Sequence, residues 1–151
     1  MKMIFKLAAA ALLAATASQA FAADKIKIGT EGAYPPFNSM TADGKVVGFD
    51  VDIANALCAQ MKAECEIVTQ DWDGIIPGLV AKKYDAIIAS MSITDERKQQ
   101  VDFTNPYYKS ALTFVAKAGS GIAEVTADTL KDKTVGAQAG TTQADFVAAA
   151  F

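Results

Sequence analysis

The fold class follows from the stretch Tyr84-Asp85-Ala86-Ile87-Ile88-Ala89-Ser90. Its apolar residues are continuous rather than alternating, which is typical of a strand in a parallel sheet that is covered on both faces. A helical pattern interrupted at Pro77 precedes this strand. After it, the spacing of Ser92 and Asp95 predicts a capping box that opens a short helix. Strands that alternate with helices predict an α/β architecture whose ligand site lies outside the carboxyl ends of the strands.

The residues upstream continue this alternation. Residues 25–29 alternate polar and apolar side chains and predict a first strand, and the turn signal Asp43-Gly44 predicts a short hairpin. A helix is expected over residues 50–61 and a strand over residues 65–69. The apolar stripe of the expected helix consists of Ile53, Leu57 and Met61.

The residues downstream carry weaker patterns. Residues 111–116 and 134–137 resemble strands, and the stretch 117–121 between them has the composition of a linker. A helix is expected from Thr142, because Asp145 stands at capping-box spacing from it. One strand and one helix cannot enclose a core of their own.

Composition excludes several classes of function. The chain has 151 residues, 14 of them basic and 17 acidic, with two Cys and no His. The lack of His removes Ser-His-Asp and Cys-His catalysis and every His-ligated metal site. The net charge of −3 gives no basic surface for a phosphate backbone. We therefore expect no cofactor, no metal and no nucleic-acid partner.

The N-terminus has the pattern of a secretory signal peptide. Lys2 and Lys6 precede the apolar run at residues 7–15, and the small-residue site Ala20-Phe21-Ala22 follows. The run is well short of the roughly 20 residues that span a bilayer. The sequence therefore predicts three parts: a signal peptide at 1–22 that is cleaved after Ala22, most of a first lobe at 23–116, and the start of a second lobe at 117–151.

Export changes the interpretation of the two cysteines. In an oxidising compartment Cys58 and Cys65 are expected to form a disulfide that joins the end of a helix to the next strand. The alternative is two buried thiols. Two Cys without His fall short of a four-ligand zinc site.

Two groups of polar residues could bind an anion. Ser90, Ser92, Thr94 and Arg97 fall within eight positions beside a helix N-terminus, and Arg offers a planar fork to a carboxylate. The segment 140–143 opens the last helix and could provide a second such terminus. The alternative for each is an ordinary capped helix on the surface.

A cationic group could be received by an acid and two aromatic residues. Glu31, Tyr34 and Trp72 all lie in loops after expected strands. The alternative is an exposed carboxylate with two rings at the edge of the core. Asp71 and Asp73 could form an acid and base pair or a hard-cation site, although a solvated loop is the simpler interpretation.

Several ordered motifs resemble one family. The run GFDVDIANALC at residues 48–58 resembles the signature of the polar-amino-acid family of bacterial extracytoplasmic solute-binding proteins. The likeness continues through residues 28–37, 85–94 with Arg97, and 101–108. Within the family the chain is similar to the lysine/arginine/ornithine-, histidine- and arginine-binding receptors.

The resemblance implies a two-lobed receptor of the type II periplasmic-binding fold, closing by a hinge motion on a free amino acid. In it Arg97 would pair with the ligand α-carboxylate, assisted by Ser92 and Thr142, and Ser90 would help to hold the α-ammonium. Tyr34 and Trp72 would sandwich the ligand side chain, and Glu31 would meet a cationic head. The full set of implied ligand-binding residues is Glu31, Tyr34, Trp72, Ser90, Met91, Ser92, Arg97, Thr141 and Thr142.

The family likeness also implies partners and alternatives. A monomeric receptor would deliver a basic amino acid, or a related opine, to an ABC permease in the inner membrane. A dehydratase-like enzyme or a sensor domain on the same fold is the alternative. Family members continue through the rest of the second lobe, so the 151 residues are expected to be a fragment of a longer product.

Overall fold

A computed structural model describes residues 25–151, and the predicted signal peptide lies outside this range. In chain order the strands are β1 (Lys25–Thr30), β2 (Ala33–Tyr34), β3 (Asn38–Met40), β4 (Val46–Val47), β5 (Glu64–Thr69) and β6 (Ala86–Ile87). The helices are α1 (Phe49–Met61), α2 (Trp72–Val80), α3 (Asp95–Lys98), α4 (Ala127–Leu130) and α5 (Thr142–Ala150). Between residues 25 and 151 no helix is both long and apolar enough to cross a membrane.

The main sheet has the order β5-β1-β6, and both pairings are parallel. The α/β architecture with a parallel sheet is therefore confirmed. The strand expected over residues 84–90 is shorter than predicted, because only Ala86–Ile87 pair in register. Its flanks still bond to β1, since Asp85 N donates to the Lys27 carbonyl at 2.8 Å and Ile88 N to the Gly29 carbonyl at 3.0 Å.

The sheet is covered on both faces, as the continuous apolar run at residues 84–90 predicts. Successive strand side chains point to opposite faces, and in β5 Ile67 packs with α1 whereas Val68 packs with α2. The cluster on the α1 face is centred on Ile28, Ala54 and Cys58. The cluster on the α2 face is centred on Ile75, Tyr84 and Ala89.

Helix α1 buries a different stripe from the one expected. Leu57 and Met61 are exposed. The face of α1 toward the sheet is fixed by the predicted disulfide, which is present between Cys58 and Cys65 at 2.01 Å. Small Ala54 on this face allows the close approach. The buried residues of α1 are Asp50, Val51, Ala54 and Cys58.

The interruption predicted at Pro77 is wrong, because α2 runs through it. Proline removes one backbone donor and crowds the carbonyl four residues earlier, here that of Asp73 in the first turn. Pro77 still accepts through its own carbonyl from Ala81 N at 2.9 Å, so the helix continues.

In both helices the N-cap is a different residue from the predicted one. In α3 the cap is Thr94, whose hydroxyl accepts from Arg97 N at 3.2 Å, and not Ser92. In α5 the cap is Thr141, which accepts from Ala144 N at 3.2 Å, and not Thr142. In each case the threonine that caps has the extended backbone that an N-cap requires, with φ −129° and −112°.

The hairpin around Asp43-Gly44 is confirmed as β3 and β4, with β2 completing a small antiparallel sheet. The strands expected at 111–116 and 134–137 are absent from the described residues. Neither segment meets a neighbouring strand, and Val115 is 92% exposed. A strand needs a partner for its backbone groups, so propensity alone does not form one.

Candidate functional site

All nine predicted ligand-binding residues line one cavity of about 1680 Å³. On one side it is bounded by the residues that follow the parallel strands: Glu31 comes directly after β1, Trp72 follows β5, and Ser90 follows β6. The rest of its lining comes from residues beyond 100, among them most of 101–123, and 133–138 and 141–143. The cavity therefore lies at the carboxyl edge of the sheet, which is the expected place for a ligand in an open α/β sheet.

Arg97 binds oxygen atoms from two parts of the chain. Its Nη1 donates to the Ser92 carbonyl at 2.8 Å, and its Nη2 donates to the Gly140 carbonyl at 3.0 Å. The guanidinium carbon lies 5.3 Å from the centre of the Trp72 ring, within the range of a cation–π contact. Burial lowers the pKa of Arg97, and the charges of Asp145 and Glu96 oppose that shift. An arginine side chain remains protonated in such a setting.

Gly140 connects the last part of the chain to residues that follow the parallel sheet. Its carbonyl accepts from Trp72 Nε1 at 2.9 Å as well as from Arg97. Its φ of +68° is a conformation that L side chains rarely adopt, and a Cβ there would lie 3.5 Å from Asp73 Oδ1. The positive φ therefore favours glycine here, while the space around the position would admit a Cβ.

Glu31 binds a nitrogen donor instead. Its Oε1 accepts from Gln138 Nε2 at 2.5 Å. Tyr34 is exposed and stacks on Phe37 with ring centres 5.0 Å apart. Because Gln138 and Gly140 are two residues apart, their Cα atoms lie at most ~7 Å from each other. The acceptor at Glu31 and the donor at Arg97 are thus opposite in kind, and both contact the short segment 138–140.

The threonines of the last helix have different surroundings. Thr141 is buried, and its hydroxyl donates to the Gln138 carbonyl at 2.6 Å while it caps α5. Thr142 is half-buried, and its hydroxyl donates to Gln143 Oε1 at 3.2 Å. Of the remaining predicted residues, Met91 packs against the cluster on the α2 face, and Ser92 is exposed.

Ser90 belongs to a polar network around the buried Asp50. Its hydroxyl donates to Asp50 Oδ1 at 2.8 Å, and its backbone N–H donates to the Tyr107 hydroxyl at 2.8 Å. Tyr107 in turn donates to Asp50 Oδ1 at 2.9 Å. Burial, followed by the hydrogen bond and charge of Asp50, raises the pKa of Tyr107 to about 12.

Sequence reasoning missed Gln138 and Tyr107, which line the cavity, and Asp50, which does not line it but bonds to Ser90 and Tyr107. Asp50 resembles an ordinary acidic residue of a helix first turn, so only its place on the buried stripe of α1 could have singled it out. Asp71 and Asp73 are exposed beside the start of α2. Across residues 25–151 no group of three or more Cys, Asp or Glu side chains is placed to hold a metal ion.

A parallel α/β sheet with a cavity at its carboxyl edge, lined by Arg97 and Glu31 among other charged residues, is suited to a small polar molecule. Residues 26–148 match the family of bacterial extracellular solute-binding proteins, family 3, and the chain belongs to this family. The resemblance seen in the sequence motifs is thereby confirmed.

Three relatives illustrate the likeness. The L-arginine-binding protein of Pseudomonas aeruginosa is 54% identical over 81% of this chain and 47% of that protein. The ABC transporter arginine-binding protein 1 of Escherichia coli is 46% identical over 94% of this chain and 57% of that protein. The structure of an ancestral arginine-binding protein bound to glutamine has a TM-score of 0.77 at 40% identity, over 83% of this chain and 56% of the other. The chain thus spans about half the length of the relatives that it matches.

Proposed function

We propose that this chain is part of the periplasmic receptor of an ABC importer for a basic L-amino acid, or for a related opine. One observation carries the proposal. The cavity presents a hydrogen-bond donor with positive charge at Arg97 and an acceptor with negative charge at Glu31, each of which contacts a group of the matching kind. The three relatives are all arginine-binding proteins by name.

Each end of a basic amino acid matches one of these groups. Arg97 receives the α-carboxylate in place of the Gly140 carbonyl, since a bidentate ion pair is stronger than a bond to a neutral oxygen. Glu31 receives the guanidinium or ammonium of the side chain in place of the Gln138 amide. The methylene chain lies against Trp72 and Tyr34, whose rings also attract a cation.

Transport without chemistry is the simpler function for this cavity. General acid or base catalysis requires a positioned proton carrier, and Glu31, one of the acids that line the cavity, is matched to a cationic ligand group. The relatives named above are binding proteins. A dehydratase-like enzyme or a sensor domain remains the alternative that turnover or a membrane-spanning continuation would favour.

The setting of the protein follows from the same assignment. A signal peptide at 1–22 directs export, residues 23–116 form most of a first lobe, and residues 117–151 begin a second. Closure of the two lobes by a hinge motion holds the amino acid between them. The closed monomer then delivers its ligand to an inner-membrane permease.

The test is calorimetric titration of the full-length protein with arginine, lysine, ornithine, histidine, glutamine, octopine and citrulline. Citrulline has the shape of arginine without its charge. We expect one-to-one binding of a basic ligand without turnover, and a preference for arginine over citrulline that Glu31→Gln reduces. Silence across the panel, or a product detected by mass spectrometry, would refute the proposal.

A further inference from the structure

Asp50 is a buried carboxylate that neutral donors hold. It is 1% exposed, and none of the four ion pairs found in residues 25–151 includes it. Its Oδ2 accepts from Asn38 Nδ2 at 2.7 Å, and its Oδ1 accepts from the hydroxyls of Ser90 and Tyr107. A buried charge is costly unless it is satisfied. The presence of a carboxylate at position 50, where no ion pair offsets its charge, therefore points to a role beyond packing.

The network leaves little freedom to rearrange. The other end of the Asn38 amide is fixed as well, because Asn38 Oδ1 accepts from Gly32 N at 2.7 Å. Ser90 has a φ of +48°, a conformation that is unfavourable for a residue with a Cβ. Its N–H and O–H bonds, to Tyr107 and Asp50, hold it there.

The direction of the Ser90 hydroxyl follows from these contacts. Because its proton is given to Asp50, the lone pairs of its oxygen are left to accept. Ser90 lines the cavity, whereas Asp50 does not. The serine oxygen is thus an acceptor, with a full negative charge one hydrogen bond behind it.

We propose that Asp50 is a positioning residue for ligand recognition: it orients Ser90 as an acceptor for the α-ammonium of the ligand and adds a buried negative charge behind that acceptor. The inference rests on the proposed function, because it assumes an α-amino acid as the ligand. Arg97 and Glu31 recognise the other two charges. Asp50 acts on the third charge, that of the α-ammonium, through Ser90 and does not touch the ligand itself.

Asparagine at position 50 would reverse this arrangement. If its amide nitrogen faced Ser90, the serine would accept from it and turn its own proton toward the cavity, where it would oppose an ammonium. If the nitrogen faced Asn38, two donors would meet, and Asn38 could not turn without facing Gly32 N–H with a donor. In both orientations the negative charge is lost.

The experiment compares two ligands in two variants of the full-length protein. The ligands are L-arginine and 5-guanidinopentanoate, which is arginine without its α-amino group. The variants are Asp50→Asn and Asp52→Asn, a matched control that removes the same charge from an exposed position of the same helix. Affinity is measured by calorimetry, with displacement for the weaker ligand.

We expect Asp50→Asn to weaken arginine binding by at least about tenfold, as for a hydrogen bond to a charged group, and to change the affinity for 5-guanidinopentanoate less than about twofold. Asp52→Asn should leave both affinities unchanged. Equal losses for the two ligands would show a merely structural role and overturn the proposal, as would no loss for either. Failure of the unmutated protein to bind any basic amino acid or opine of the calorimetric panel would overturn the proposed function, and this inference with it. If it binds a different basic amino acid, that amino acid and its analogue without the α-amino group replace the two ligands.

A second variant covers the case in which Asp50→Asn does not fold, which near-ultraviolet circular dichroism would show. Ser90→Ala leaves the carboxylate with its bonds from Asn38 and Tyr107. It should produce the same loss for arginine alone. An equal loss for both ligands, or no loss, would count against the proposal in the same way.

Discussion

The core region, residues 25–100, and the outer region, residues 101–151, differ sharply in burial. Every buried apolar side chain of residues 25–151 lies in the core region, whereas Thr141 is the one buried residue of the outer region. Both regions contain strand-like apolar runs, yet strands form only in the core region. An apolar run therefore forms a strand where a neighbouring element pairs with it and packs against it.

The largest effect on stability is expected from the core region. Ile75 is 1% exposed between α2 and the sheet, so Ile75→Ala removes buried methyl groups and leaves a cavity. We expect a loss of about 2–5 kcal/mol in the free energy of unfolding. Urea denaturation measures it. Val115→Ala in the outer region is the control and should change stability by less than about 0.5 kcal/mol; comparable losses for the two variants would remove the contrast.

The next effect concerns the contact between the regions. Arg97 belongs to the core region and donates to Gly140 of the outer region. Because Arg97 is half-buried, Arg97→Ala should weaken amino-acid binding toward the lower end of about 2–5 kcal/mol. Lys98→Ala removes the same charge from the neighbouring surface position and should leave the affinity unaltered. Calorimetric titration of both variants decides, and equal affinities would contradict the role given to Arg97.

The disulfide is a further source of stability that belongs to the core region alone, since both cysteines lie there. Closing so short a loop is expected to stabilise the folded state by about 2–3 kcal/mol on the chain-entropy estimate. Unfolding in urea with and without dithiothreitol measures this difference. The double variant Cys58→Ser and Cys65→Ser should not respond to the reductant. A wild-type midpoint that dithiothreitol does not move would show that the bridge contributes nothing.

The smallest effect tests the outer region by itself. Thr141 caps α5, and Thr141→Ala should cost about 1 kcal/mol. Thr142→Ala removes a hydroxyl that bonds only to the exposed Gln143 and should cost less. Helix content by circular dichroism and the unfolding midpoint distinguish the two. A larger loss of stability from Thr142→Ala than from Thr141→Ala would instead support Thr142 as the N-cap, as the sequence predicts.

The sequence predicts those features that local pattern determines. The strand at Lys25–Thr30, the following hairpin and helix, and the disulfide are all expected and present. The face of α1 is not, because small Ala54 and Cys58 form the buried stripe while larger Leu57 stays outside. Packing against a sheet selected the residues that allow close approach.

The candidate site divides in the same way. Residue type suggests Glu31, Trp72 and Arg97 as binding residues, and the family resemblance of the motifs is what assigns them to one site, where they line one cavity. Gln138 and Asp50 escape notice, because their importance comes from partners distant in sequence. A hydrogen bond between positions so far apart leaves no periodic trace in the chain.

The central position of β1 has a consequence for how the chain comes into being. Lys25 has its register partner at Glu64, and the other edge of the strand is filled only at Ala86. During synthesis β1 emerges before either neighbour exists, so none of its sheet hydrogen bonds can form until much of the core region has followed. Long-range pairing of this kind is slow. A nascent chain built in this order leaves both edges of its first strand unpaired until Glu64 has been added, and one edge until Ala86.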